Sequence, residues 1–190
     1  MIYFVRHGST DWNDNLDKFG NRAPKCQGRA DVPLNERGIK QAKTTAEQLR
    51  GIKFDRIICS PLIRAVQTCK ILNLQNLDIE IDPRLIERDF GEFEGKTRED
   101  FNFDGFSNEF SKQEFKFAET ISQVKNRIKS LLKELSQKPD ENVLIVSHGA
   151  VGCFLISYFK GIPKDGNYLI YEPPHGKAVE LDFKHFKKDT

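Results

Sequence analysis

No stretch of this 190-residue chain approaches the roughly 20 consecutive apolar residues that span a bilayer, so no transmembrane helix and no membrane partner are expected. Net charge is nearly absent too. Thirty Lys and Arg against 28 Asp and Glu leave +2, and charge therefore makes no case for nucleic acid. The short basic end (Lys184, Lys187, Lys188) reads as a solvated tail. Cys26, Cys59, Cys69 and Cys153 form no CxxC pair and lie mostly in apolar segments, which points to buried reduced thiols rather than disulfides or zinc. No signal peptide is expected, because Met1 leads straight into an apolar run, and the expected location is cytoplasmic. No internal repeat or linker divides the chain. Residues 1–190 are read as one globular domain, long enough to bury about 70% of its unfolded surface. The oligomeric state is not legible.

What is present is a repeated device. Ile2, Tyr3, Phe4 and Val5 run into Arg6-His7-Gly8, and Val143 to Val146 run into Ser147-His148-Gly149. Each reads as a buried parallel strand whose C-terminal end delivers an imidazole into a turn, the place where open α/β sheets bind ligands. Between and after them, strands are expected at 54–59, at 77–81 as an edge, and at 178–183. Helices are expected from the N-cap Asn35 to Gly51, from Ser60-Pro61 to about Leu72, from Glu119 to Leu135, and from Gly149 to about Lys160. Strands alternating with helices predict a three-layer α/β/α sandwich with a mostly parallel central sheet.

Three stretches lack a clear period. The long loop 11–34 carries Asn13 and Gln27-Gly28. The charged loop 84–95 carries Glu87, Arg88, Asp89, Glu92 and two glycines. Residues 96–118 form a short insertion with phenylalanine at 101, 103, 106, 110, 115 and 117, which either anchors itself to the core or walls a ligand site. His175 and His185 read as ordinary surface histidines.

Arg6 and Arg64, the latter in the first turn of its helix, offer rigid donor forks suited to phosphate oxygens. Guanidinium groups beside His7 and His148 would repel a metal cation. A neutral imidazole among cations is instead a nucleophile for phosphorus, with the arginines offsetting the phosphoryl charge. The departing oxygen then needs a proton from a carboxyl group of raised pKa. Spacing alone does not choose among Glu87, Asp89 and Glu92.

These residues carry a resemblance. Arg6-His7-Gly8-Ser9-Thr10-Asp11-Trp12-Asn13 resembles the signature that opens the histidine phosphatase superfamily, also called phosphoglycerate mutase-like. Four further blocks are similar and follow in order: Gln27-Gly28 with 31–38, then Ser60 to Thr68, then Leu85-Ile86-Glu87 with Gly91 and Glu94-Gly95, and Val146 to Gly149. The resemblance implies a phosphoglycerate mutase-like fold and a metal-independent, histidine acid-type phosphatase acting on a small phosphorylated substrate without a cofactor. It implies that His7 is phosphorylated, that Arg6, Asn13, Arg64 and His148 hold the phosphoryl group with help from Gly149, and that Glu87 is the general acid and base. Gln27, Gly28 and Arg88 fall in the matching blocks and are further candidates for substrate binding.

Ser9 stands where the family often has Glu or Gln, which removes a charge or long amide from the expected pocket edge and weighs against a mutase. The insertion 96–118 is short and aromatic rather than a long basic cover, which also favours hydrolysis, although Arg88 beside Glu87 keeps a phosphoglycerate mutase as the alternative. A non-catalytic phosphate-binding module is the reading from another class, and retention of both His7 and Glu87 counts against it.

Overall fold

A computed structural model describes residues 1–187; Lys188, at the basic end, lies outside the described residues. The five strands are β1 (Ile2–Arg6), β2 (Arg56–Cys59), β3 (Ile79–Ile81), β4 (Val143–Ser147) and β5 (Ala178–Leu181). They form one sheet in the order β3-β2-β4-β1-β5, parallel except for β5, which runs antiparallel to β1. The α-helices are α1 (Glu36–Leu49), α2 (Ile63–Leu72), the single turn α3 (Phe103–Phe106), α4 (Ile121–Leu135) and α5 (Gly149–Lys160).

Alternation along the strands sorts the core into two layers. Ile2, Phe4, Ile58, Val143 and Ile145 point to one face and pack under α4 and α5. Val5, Ile57, Cys59, Leu144 and Val146 point to the other and pack under α1 and α2. The expected three-layer α/β/α sandwich is what forms. All four cysteines are buried free thiols, and no helix among the described residues is long and apolar enough to cross a membrane.

Local signals behave as their chemistry requires in most places. Asn35 Oδ1 accepts from Gly38 N–H and caps α1, and Thr120 with Gln123 makes a full capping box on α4. Ser60-Pro61 is the exception. The helix begins two residues later, at Ile63, whose amide is met by Asp31 Oδ1 at 2.6 Å. The Ser60 hydroxyl is diverted to the site described below.

The insertion builds its own small core. Cys26, Phe90 and Phe106 are buried together, with Phe93, Phe101, Phe103 and Phe115 packed against them, while Phe110 and Phe117 stay exposed. Two guanidiniums pin this cluster: Arg88 lies 3.5 Å from the Phe106 ring centre and Arg98 lies 4.2 Å from that of Phe103.

Candidate active site

Register places the two histidines side by side. β1 pairs in parallel with β4 so that Arg6 faces Ser147, and His7 N–H donates to Ser147 O at 2.9 Å. Both chains turn there, and the His7 and His148 rings meet edge to face with centres 5.2 Å apart. The turn after His7 packs directly on the start of α1. A Cβ on Gly8 would stand 2.3 Å from Gly38 O, so glycine is required for that approach.

The tautomers follow from the partners. His7 Nδ1 lies 2.7 Å from Gly8 O, a carbonyl that can only accept, so Nδ1 carries the proton and Nε2 bears the lone pair. Nε2 receives Arg64 Nε–H at 3.2 Å. His148 Nε2 lies 2.6 Å from Ser60 Oγ, which also accepts from Leu62 N–H at 3.4 Å. Among the described residues the hydroxyl proton meets no acceptor but Nε2, so the serine donates to it, and His148 Nδ1 is a buried donor without a protein partner there. Burial, with Arg64 and Arg6 adding repulsion, pushes both imidazoles well below the ordinary histidine value of 6.5. Ser60→Ala removes the group that selects this tautomer, and a fall of about 10-fold in kcat/KM is expected. Steady-state kinetics on a chain of unchanged circular dichroism checks it.

Arg64 is fully buried. Its Nη1 donates to Ala30 O at 2.8 Å and its Nη2 to Gly28 O at 2.7 Å, so the loop 27–30 grips the guanidinium. Burial lowers Arg64 to about 10, which leaves it cationic at neutral pH. Glu94 holds that loop in turn, accepting from the amides of Gly28 (2.8 Å), Arg29 (3.1 Å) and Ala30 (3.2 Å). The Gly28 amide therefore serves Glu94, and its carbonyl serves Arg64.

Glu87 is positioned from two sides. Ser147 Oγ donates to Leu85 O at 2.7 Å and pins the loop against β4. The carboxylate then accepts from Arg88 N–H at 2.9 Å and from the first amides of α5, Ala150 at 3.2 Å and Val151 at 3.4 Å. Burial outweighs these contacts and the nearby arginines, and raises Glu87 above its ordinary 4.5.

Arg6, His7, Asn13, Gln27, Glu87, Arg88 and Gly149 all line one cavity of about 350 Å³, and Arg64 and His148 pack against its His7. Thr10 orders two of the lining amides: its N–H donates to Asn13 Oδ1 at 3.0 Å and its hydroxyl to Gln27 Oε1 at 2.8 Å. Gln27 Nε2 and Arg6 Nε are buried without protein partners among the described residues. Arg88 donates Nε to Glu119 O and Nη1 to Phe106 O, which ties the insertion to the Glu87 loop. Among the described residues, no group of three or more His, Cys, Asp or Glu side chains is placed to hold a metal ion.

Two sequence expectations need correction. His175 is not a surface residue: it lines the cavity, its Nδ1 lies 2.9 Å from His7 O, and its ring centre is 5.2 Å from that of His7. Burial and Arg6 lower it to about 3. His185, by contrast, is exposed. Ser9 is not on the pocket edge. It is buried under α1, where its amide donates to Gln41 Oε1 at 2.8 Å and its carbonyl receives Asn35 N–H at 3.1 Å. The insertion answers to both readings offered for it, since it packs its own core while Phe103 and Phe106 wall the cavity. Glu172 was missed as well. It bridges Arg6 Nη1 at 2.9 Å and Arg98 Nη2 at 2.7 Å, and these two arginines outweigh its burial and hold it below the ordinary carboxyl value. A third His-Gly pair, His175-Gly176, was the available signal.

Comparison with known proteins agrees with this geometry. The model of the histidine phosphatase superfamily, branch 1, matches residues 2–188. The chain is 34% identical over 163 residues to an uncharacterized phosphatase PhoE from Bacillus subtilis strain 168, covering 84% of this chain and 77% of that one. It is 30% identical over 173 residues to the adenosylcobalamin/alpha-ribazole phosphatase of Escherichia coli K12, covering 86% and 81%. The phosphoserine phosphatase of Entamoeba histolytica, solved in complex with 3-phosphoglyceric acid, superposes with a TM-score of 0.77 at 27% identity over 97% of this chain and 91% of that one. A match along almost the whole length, with relatives 30% or more identical over most of both chains, makes this chain a member of the histidine phosphatase superfamily, branch 1.

Proposed function

We propose that the protein is a phosphomonoesterase that hydrolyses a small phosphorylated metabolite through a phosphohistidine intermediate on His7. The observation that carries this reading is the set of buried donors around the His7 ring that no protein acceptor among the described residues meets: Arg6 Nε, Gln27 Nε2 and His148 Nδ1. Buried donors are paired in folded proteins, so two of these lining the cavity and a third against His7 suit an anionic ligand. Asn13, with Oδ1 taken by Thr10, presents its Nδ2 to the same cavity, and Gly149 opens α5 with an amide suited to a phosphoryl oxygen.

In the proposed reaction His7 Nε2 attacks phosphorus and a P–N bond forms as the P–O ester bond breaks. The protonated Glu87 gives its proton to the leaving oxygen. Water then attacks the phosphohistidine while the Glu87 carboxylate takes its proton, and the P–N bond breaks to release phosphate. Arg64 and Arg6 hold the equatorial charge throughout.

The test is rapid acid-free quenching during turnover of p-nitrophenyl phosphate. The expected result is a phosphoryl group on His7 that is stable to alkali and labile to acid, formed equally well in excess chelator. Absence of any phosphoenzyme, or turnover that stops with chelator, overturns the reading. Phosphoglycerate interconversion is the competing activity. The short insertion 96–118 leaves the intermediate open to water, so a coupled assay is expected to find free phosphate and glycerate only. Phosphoester binding without turnover would instead mark a non-catalytic module.

A further inference from the structure

The wall of the cavity formed by residues 172–176 has two open acceptors. Arg6 and Arg98 both donate to the same Glu172 oxygen, Oε1, and among the described residues no donor meets Oε2. His175 gives its Nδ1 proton to His7 O, so its Nε2 carries a lone pair that no described residue uses. The other wall is aromatic. Phe103 and Phe106 line it, each backed by a guanidinium on one face of its ring. A leaving group in this space meets an apolar surface on one side and hydrogen-bond acceptors on the other. One that donates nothing buries both acceptors unmet.

We propose that Glu172 Oε2 and His175 Nε2 form a specificity subsite that accepts hydrogen bonds from further hydroxyl groups on the leaving alcohol. Phosphomonoesters of hydroxylated rings are then the selected substrates, their ring faces on the partly exposed Phe103. The inference rests on the hydrolase reading above. Arg22 and Lys25 also line the cavity and favour a second anionic group on the substrate, whereas the Glu172 carboxylate disfavours one beside it. A carboxylated leaving group is therefore the competing outcome.

The test compares kcat/KM for glucose-6-phosphate with that for cyclohexylmethyl phosphate, which keeps the ring size and lacks the hydroxyls, and adds 3-phosphoglycerate as the carboxylated arm. Wild-type chain is expected to prefer the sugar ester by about 10-fold or more. In His175→Asn the amide can still donate toward His7 O but places no lone pair at the Nε2 position, and the ratio is expected to fall at least about 5-fold toward one. Both esters share the transfer to His7, so any effect on the nucleophile cancels in the ratio. A wild-type ratio near one, a ratio unmoved in His175→Asn, or faster turnover of 3-phosphoglycerate overturns the proposal. The wild-type comparison stands even where the variant does not fold. Turnover of p-nitrophenyl phosphate without this selectivity sinks the subsite alone, and no turnover of any ester sinks the hydrolase reading with it.

Discussion

His7→Ala is expected to lower kcat for every phosphomonoester that the wild-type chain hydrolyses by roughly 10⁴-fold or more, with no phosphoenzyme detectable. The size follows from the loss of an entire covalent route. Arg64 Nε lies 3.2 Å from Nε2, so attack and charge neutralisation occur at the same place. Burial and the neighbouring cations keep that nitrogen unprotonated below the ordinary histidine range. No other group replaces it. His148 spends Nε2 on Ser60 and points a donor inward, and His175 is anchored through Nδ1 to the His7 backbone carbonyl. Binding should survive the change, because Arg6, Arg64, Gln27 and His148 remain. The inhibition constant of vanadate or inorganic phosphate is expected to move by less than about 10-fold while kcat collapses. A variant with more than a few per cent of wild-type kcat would remove His7 from the chemistry.

Glu87→Gln is expected to cost roughly 10²- to 10⁴-fold in kcat/KM for alkyl phosphates, and far less for p-nitrophenyl phosphate, whose leaving anion needs no proton. Glutamine keeps the shape, and its Oε1 still accepts from the amides of Arg88 and Val151, while the Ala150 amide loses its acceptor. It also removes the base that activates water, and the phosphoenzyme is therefore expected to accumulate with p-nitrophenyl phosphate. The pH profile gives a second readout. Activity requires neutral His7, so kcat/KM rises with pH through a value below 6.5; it requires protonated Glu87, so kcat/KM falls as pH rises through a value above 4.5. For alkyl esters the two limbs enclose a bell-shaped optimum, and the alkaline limb should vanish in Glu87→Gln while the acid limb stays. An unchanged alkaline limb would assign it to another group. Proton transfer would then have to come from elsewhere.

Much of the site was legible before any coordinates because its parts sit at strand ends. An apolar run that stops in Arg-His-Gly or Ser-His-Gly states both the strand and what it delivers, and a parallel sheet brings such ends to one edge. Glu87 was harder. Its loop also holds Asp89 and Glu92, and the residues alone did not rank the three; burial against the N-terminus of α5 does. Ser60 shows the reverse failure. Its cap signal before Pro61 was sound as local chemistry, but Asp31 takes over the amide of Ile63, and the hydroxyl orients His148 instead.

What the amino-acid sequence determined by itself was the sandwich, its parallel strands, and the imidazoles and guanidiniums that meet at their ends, because periodicity and strand termini are local facts. What only tertiary structure decided was the other half of the pocket. β5 returns antiparallel along β1, with Ala178 beside Val5, and that pairing carries the segment before it past the end of β1. Gly176 N–H bonds Arg6 O, His175 reaches His7, and Glu172 reaches Arg6. Beyond the His175-Gly176 pair no local pattern announces these contacts: they join residues 166 to 170 positions apart, and the strand pairing that creates them lies downstream of the residues it positions.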